Sequence, residues 1–118
     1  HNNIGVAYRL QEDYPQAILH LQQAVDLAPE FETARNNLAV ALKGCGDLEG
    51  AIHHLEQAVR INPNYAEAHN NLGLALKEQG KLRQAVEKFH RALAINPAYP
   101  AARLNLEEAE AQLKRAGG

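Results

Sequence analysis

The chain has 118 residues and a net charge of −2, with 12 basic side chains, 14 acidic ones and one cysteine. That balance gives no general pull toward nucleic acid, the length suits one domain, and a single cysteine excludes an internal disulfide. No apolar run approaches the roughly 18–20 residues of a membrane span, which excludes membrane insertion by a helix, and the lone thiol is the only hint of a reducing, cytoplasmic compartment.

Three prolines, Pro29, Pro63 and Pro97, stand 34 residues apart, and the residues between them repeat in step. Residues 32–65 written over 66–99 agree at fifteen of thirty-four positions, including Asn36-Asn37-Leu38 over Asn70-Asn71-Leu72. A period of this length predicts an all-α solenoid of antiparallel helix pairs. One domain is expected over residues 1–118, with repeats at 1–31, 32–65 and 66–99 and a capping helix at 100–116.

The first repeat opens at His1-Asn2-Asn3-Ile4-Gly5, which lines up with His69-Asn70-Asn71-Leu72-Gly73 and so starts inside a helix. The chain is therefore expected to be a fragment of a longer protein. In the second repeat the first helix carries Leu38, Ala39, Ala41 and Leu42 at helical spacing. Gly46-Asp47 offers a left-handed glycine to end it and an aspartate to cap the next helix, which carries Ala51, Ile52, Leu55, Ala58 and Val59. Asn62 precedes a proline, which disfavours helical geometry and closes the segment. The third repeat follows the same grammar, with Leu72, Gly73, Ala75 and Leu76, then Gly80-Lys81, then Ala85, Val86, Phe89, Ala92 and Leu93, then Asn96-Pro97. Pro100 suits the first turn of a last helix. There Glu107 takes the column of Gly5, Ala39 and Gly73, and Glu110 that of Tyr8, Leu42 and Leu76, so residues 100–116 read as a solvating cap, with Gly117-Gly118 as a tail. Columns of small residues, Ala17, Ala51 and Ala85 and again Ala24, Ala58 and Ala92, predict close helix contacts that a larger side chain would overpack.

The sequence Leu72, Gly73, Leu76, Ala85, Phe89, Ala92 and Pro97 carries the large, small, large, alanine, aromatic, alanine, proline order of a known repeat. The unit resembles the tetratricopeptide repeat over essentially the whole chain, and its Asn-Asn-Leu-Gly wording looks like the repeats of the O-linked N-acetylglucosamine transferase superhelix. The bulky aromatic usual near the start of that repeat is His1, Arg35, His69 and Arg103 here. The resemblance implies a right-handed solenoid whose concave side is lined by the first helix of each pair.

Catalytic chemistry finds little material. The chain has no serine, one threonine, Thr33, and one cysteine, Cys45, which reads as a filler at a helix end. The adjacent His53 and His54 point about 100° apart on a helix. His53 with Glu56 would make at most a weak two-ligand site where structural zinc wants four. His20, His54 and Lys88 share one column, read as polar surface. Glu107, Glu108 and Glu110 read as a solvated face, since no apolar pocket is implied to separate their pKa values. No catalytic residue, metal site or cofactor is expected.

Binding chemistry has more. Carried over from the resemblance, the groove would be lined by Asn3, Val6 and Arg9, then Asn36, Asn37, Val40 and Lys43, then Asn70, Asn71, Leu74 and Lys77, with Asn105 on the last helix. Asn3, Asn37, Asn71 and Asn105 form one column. An amide offers donor and acceptor together, so such a ladder complements an extended peptide backbone, as in the resembled superhelix. The alternative is that each asparagine satisfies a local backbone group or water. Arg9, Lys43 and Lys77 run beside the ladder and tilt the groove toward acidic or carboxylate-bearing ligands, although lysine near a helix C-terminus is favoured by the dipole in any case. The clamp that binds chaperone C-terminal tails in this family expects lysine at Asn2, asparagine at Val6 and Asn37, and lysine then arginine at Glu67 and Asn71. Only Asn37 agrees. A shift of one repeat to Asn36, Val40, Asn71, Ala101 and Asn105 again matches once, which argues against such tails as partners.

The sequence therefore points to a noncatalytic protein-interaction scaffold holding an extended peptide or partner segment in its groove. Two other readings stand beside it. One is the substrate-recognition arm of a larger enzyme such as a glycosyltransferase. The other is end-to-end self-association through Ile4, Gly5 and Tyr8.

Overall fold

The computed structural model describes residues 14–28 and 31–116. Among them are six helices and no strand: α1 (Tyr14–Leu27), α2 (Glu32–Gly44), α3 (Leu48–Ile61), α4 (Ala66–Glu78), α5 (Leu82–Ile95) and α6 (Pro100–Arg115). Asn3, Val6, Arg9 and the first-repeat residues through Asp13, with Pro29 and Gly117-Gly118, lie outside the described residues. The helices fall into two compact units, one ending at Pro63 and one beginning at Asn64.

In the first unit α2 packs on both α1 and α3. The α1–α2 core consists of Ala17, Leu21, Ala24 and Val25 against Ala34, Leu38 and Ala41, with Ile18 and Leu42 at its edge. Ala51, Leu55 and Ala58 form the buried stripe of α3. The turn between α2 and α3 has the predicted chemistry. Gly46 takes φ 94°, and Asp47 N–H reaches back to the Leu42 carbonyl at 2.8 Å, closing the helix end in the Schellman manner. The Asp47 carboxylate then accepts from Gly50 N–H at 2.9 Å and caps α3.

The second unit repeats the α2–α3 plan in α4 and α5 and places its third described helix, α6, after that pair. Here α5 packs on α4 and α6, and α4 touches α6 directly. Gly80, at φ 82°, ends α4, and Lys81 N–H bonds the Leu76 carbonyl at 2.9 Å. The core is Ala68, Leu72, Gly73, Ala75 and Leu76 from α4, Ala85, Phe89 and Ala92 from α5, and Ala102, Leu106 and Ala109 from α6. The two small-residue columns are buried wherever they are described: Ala17, Ala51, Ala85, Ala58 and Ala92 are fully enclosed and Ala24 nearly so.

Size is matched between facing columns. A methyl group on Gly73 would lie 2.6 Å from Cε1 and 2.8 Å from Cδ1 of the enclosed Phe89 ring. One repeat earlier the same two places hold Ala39 and Leu55, both buried. The larger aromatic goes with the smaller partner.

Among the described residues, α2, α4 and α6 begin without a side-chain cap, at Phe31, Tyr65 and Tyr99 respectively. These aromatics are themselves 34 residues apart. In the last helix Glu107, Glu108 and Glu110 are exposed.

Candidate functional site

The second unit brings much of the predicted groove set onto one face, where α4 meets α6. Asn70, Leu74 and Lys77 follow each other at helical spacing on α4, and Asn105 and Glu108 do so on α6. Two polar links join the helices. Asn105 Nδ2 donates to Asn70 Oδ1 at 3.0 Å, and Lys77 Nζ donates to Glu108 Oε2 at 3.1 Å. Leu74, half-buried, lies between the two linked positions of α4.

Asn70 was expected to line the groove, but its side chain is buried. Its amide is oriented from two sides. The carbonyl oxygen takes the Asn105 hydrogen bond, and a hydrogen bond to the Tyr99 hydroxyl opposes the rise in that group's pKa. Buried and bonded to Asn105, Asn70 braces its neighbour on α6. Burial first and the nearby Glu67 carboxylate second keep the Tyr99 hydroxyl protonated to higher pH than usual. Asn36 in the first unit is enclosed completely and is likewise removed from the contact set. A buried amide is tolerated only when its polar atoms are paired, and the Asn70 links are one such solution.

Asn37, Val40 and Lys43 on α2, and Asn71 on α4, are half-buried. Asn105 is half-buried too, with one amide hydrogen committed to Asn70 and its carbonyl oxygen left for another donor. Lys77 corrects a further expectation, because its ammonium is held by Glu108 and does not stand as an open cation. Correspondingly, Glu108 is not simply solvated. Glu110 lies 3.8 Å from His90 across α5 and α6.

The histidine column also differs from plain polar surface. His54 is half-buried, and its Nδ1 lies 3.2 Å from Arg35 Nη1. A guanidinium can only donate, so Nδ1 is the acceptor and the proton of the neutral ring sits on Nε2. Burial first, then the neighbouring His53 and Arg35, lower the His54 pKa to about 4, against a smaller opposing pull from Asp47. No group of three or more metal-ligating side chains exists among the described residues. Cys45 is exposed and unbridged.

An open cleft of about 330 Å³ lies between the Gly80 turn and the end of α6, lined by Lys81, Leu82, Arg83 and Leu113 among others. None of the groove residues lines it, and no described helix is long and apolar enough to cross a membrane.

At two residues of the α4–α6 face the repeat period holds a signal beyond the sequence reading, in which Glu108 belongs to a solvated face and Tyr99 has no role. Glu108 is the fourth member of the column Val6, Val40, Leu74, and Tyr99 the third of Phe31, Tyr65.

A family model described as tetratricopeptide repeat matches residues 1–31 and 66–99, and another described as TPR repeat matches residues 43–80. No curated protein sequence matches. Among solved structures, the Sgt2 TPR domain from Aspergillus fumigatus is similar with TM-score 0.95 and 26% identity, covering 98% of this chain and 78% of that one. The first TPR of Spaghetti (RPAP3), bound to the HSP90 peptide SRMEEVD, is similar with TM-score 0.92 and 25% identity, covering 96% and 90%. The first TPR domain of human RPAP3 shares the fold with TM-score 0.93 at 24% identity, covering 97% and 90%. Since one of these folds carries a chaperone peptide, the fold gives no ground for setting that ligand class aside, contrary to the expectation above.

Proposed function

The chain belongs to the tetratricopeptide repeat family, and from that premise we propose that it is a noncatalytic interaction module that grips an extended peptide segment along its first helices. The observation that carries this reading is the brace at Asn105. A buried asparagine, Asn70, spends its amide orienting a half-exposed one in the next helix. A side chain that only faced water would need no such support, whereas a rung that meets a ligand benefits from being held in one rotamer before binding.

Asn37, Asn71 and Asn105 would bond peptide main chain, and Val40 and Leu74 would supply apolar contact beside them. Main-chain recognition fits a scaffold that accepts several sequences, because every residue of an extended ligand presents the same N–H and C=O. The peptide carried by the Spaghetti structure supports a peptide as the kind of ligand, and acidic tails belong among the candidates tested. The Asn-Asn-Leu-Gly wording leaves a narrower version in place, in which this module selects protein substrates for an attached glycosyltransferase.

Capture from a random peptide library tests the reading. The wild-type chain should retain a set of peptides that the joint variant Asn37→Ala, Asn71→Ala does not. Equal capture by a folded double variant would remove the asparagines from the account.

A further inference from the structure

We propose that Glu108 is a specificity-determining residue of the α4–α6 face, occupying the Lys77 ammonium and so weakening carboxylate-bearing ligands there; this rests on the groove reading above. Positions Val6, Val40 and Leu74 of the groove column are apolar, and the fourth place, on α6, holds a carboxylate. That carboxylate lies 3.1 Å from Lys77, the third member of the cation column Arg9, Lys43, Lys77.

The geometry makes the pairing consequential. The Lys77 side chain is 17% exposed and Glu108 53%, so the cation is largely sheltered while its partner remains within reach of solvent. An acidic group entering beside Leu74 meets an ammonium already neutralised and a carboxylate of its own sign. It must displace Glu108 to gain the contact. Glu67, exposed on α4 and acting on Tyr99, is a further carboxylate on the same helix as Lys77. A neutral or basic segment meets neither obstacle.

The probe is the carboxylate-rich heptapeptide SRMEEVD, labelled and titrated by fluorescence anisotropy against the wild-type chain, Glu108→Gln, Lys77→Gln and the double variant. Glu108→Gln should bind the peptide about threefold or more tightly than wild type, the size expected for one or two partly exposed charge contacts. The gain should vanish in the double variant and shrink in high salt. Circular dichroism establishes that each variant is folded, and Glu108→Ala replaces Glu108→Gln if the latter is not. Unchanged or undetectable binding by the folded Glu108 variants overturns the proposal, as does a gain that survives removal of Lys77. The library capture with Asn37 and Asn71 changed does not involve Glu108, so the groove reading and this selectivity can fail separately.

Discussion

His54 and Asn70 are polar side chains placed inside helix contacts, and each is tolerated because a particular partner meets it. For His54 the partner is Arg35, and the consequence is a dependence on pH. Its pKa falls from 6.5 in the open chain to about 4 in the fold. The folded state thus holds the ring neutral, and its contribution to stability is complete above pH 6.5. It declines as pH falls, because the unfolded chain takes up the proton first, and it is lost once pH passes below about 4. Melting curves between pH 7 and 4.5 should show a smaller fall for His54→Gln than for wild type. Parallel falls would contradict the neutral, Arg35-bonded ring. Polar pairings of this kind were the least legible feature of the sequence. Arg35 and His54, or Asn70 and Asn105, are 19 and 35 residues apart, and no local pattern announces that two polar residues will be turned toward each other. Hence Asn36 and Asn70 read as groove contacts when their side chains are buried.

At the scale of the helix the sequence was far more readable, because the requirements are local. A residue at φ 94° or 82° is strained unless it is glycine, so Gly46 and Gly80 mark the ends of α2 and α4 in the sequence itself. Columns of alanine work in the same way, since close approach of two helices tolerates no larger group. Ala51 is fully enclosed, and Ala51→Leu should cost about 1–3 kcal/mol by overpacking, read as a lower melting temperature. The Gly73–Phe89 contact permits a sharper test. Gly73→Ala gains helix propensity of about 1 kcal/mol but drives a methyl group into a ring that is sealed on all sides. A net loss of stability is expected. Introducing Phe89→Leu should recover much of it, because the pair then becomes the alanine and leucine of the preceding repeat. Additive losses in the double-mutant cycle would show that these two side chains do not limit each other.

For the whole molecule, the 34-residue period connects architecture to recognition. It sets an asparagine at the same position of every repeat, at Asn3, Asn37, Asn71 and Asn105, and the proposed ligand contacts fall on that column. Architecture was legible because it depends on the recurrence of many positions, so a few departures such as Arg35 or His69 do not obscure it. The chemistry of the proposed binding face was legible only in part. The positions of Asn37, Asn71 and Asn105 could be read from the period, whereas the neutralisation of Lys77 depends on a single substitution in the last helix, Glu108, where an apolar residue had been the rule. Reading the groove columns through to their fourth members would have exposed it. The asparagine ladder is tested most directly by the affinity of the tightest library peptide, measured by isothermal titration calorimetry for wild type and for Asn37→Ala, Asn71→Ala. A loss of tenfold or more, about 1.4 kcal/mol or above, in a variant that keeps its helical circular dichroism is the predicted result, and an unchanged dissociation constant would contradict it.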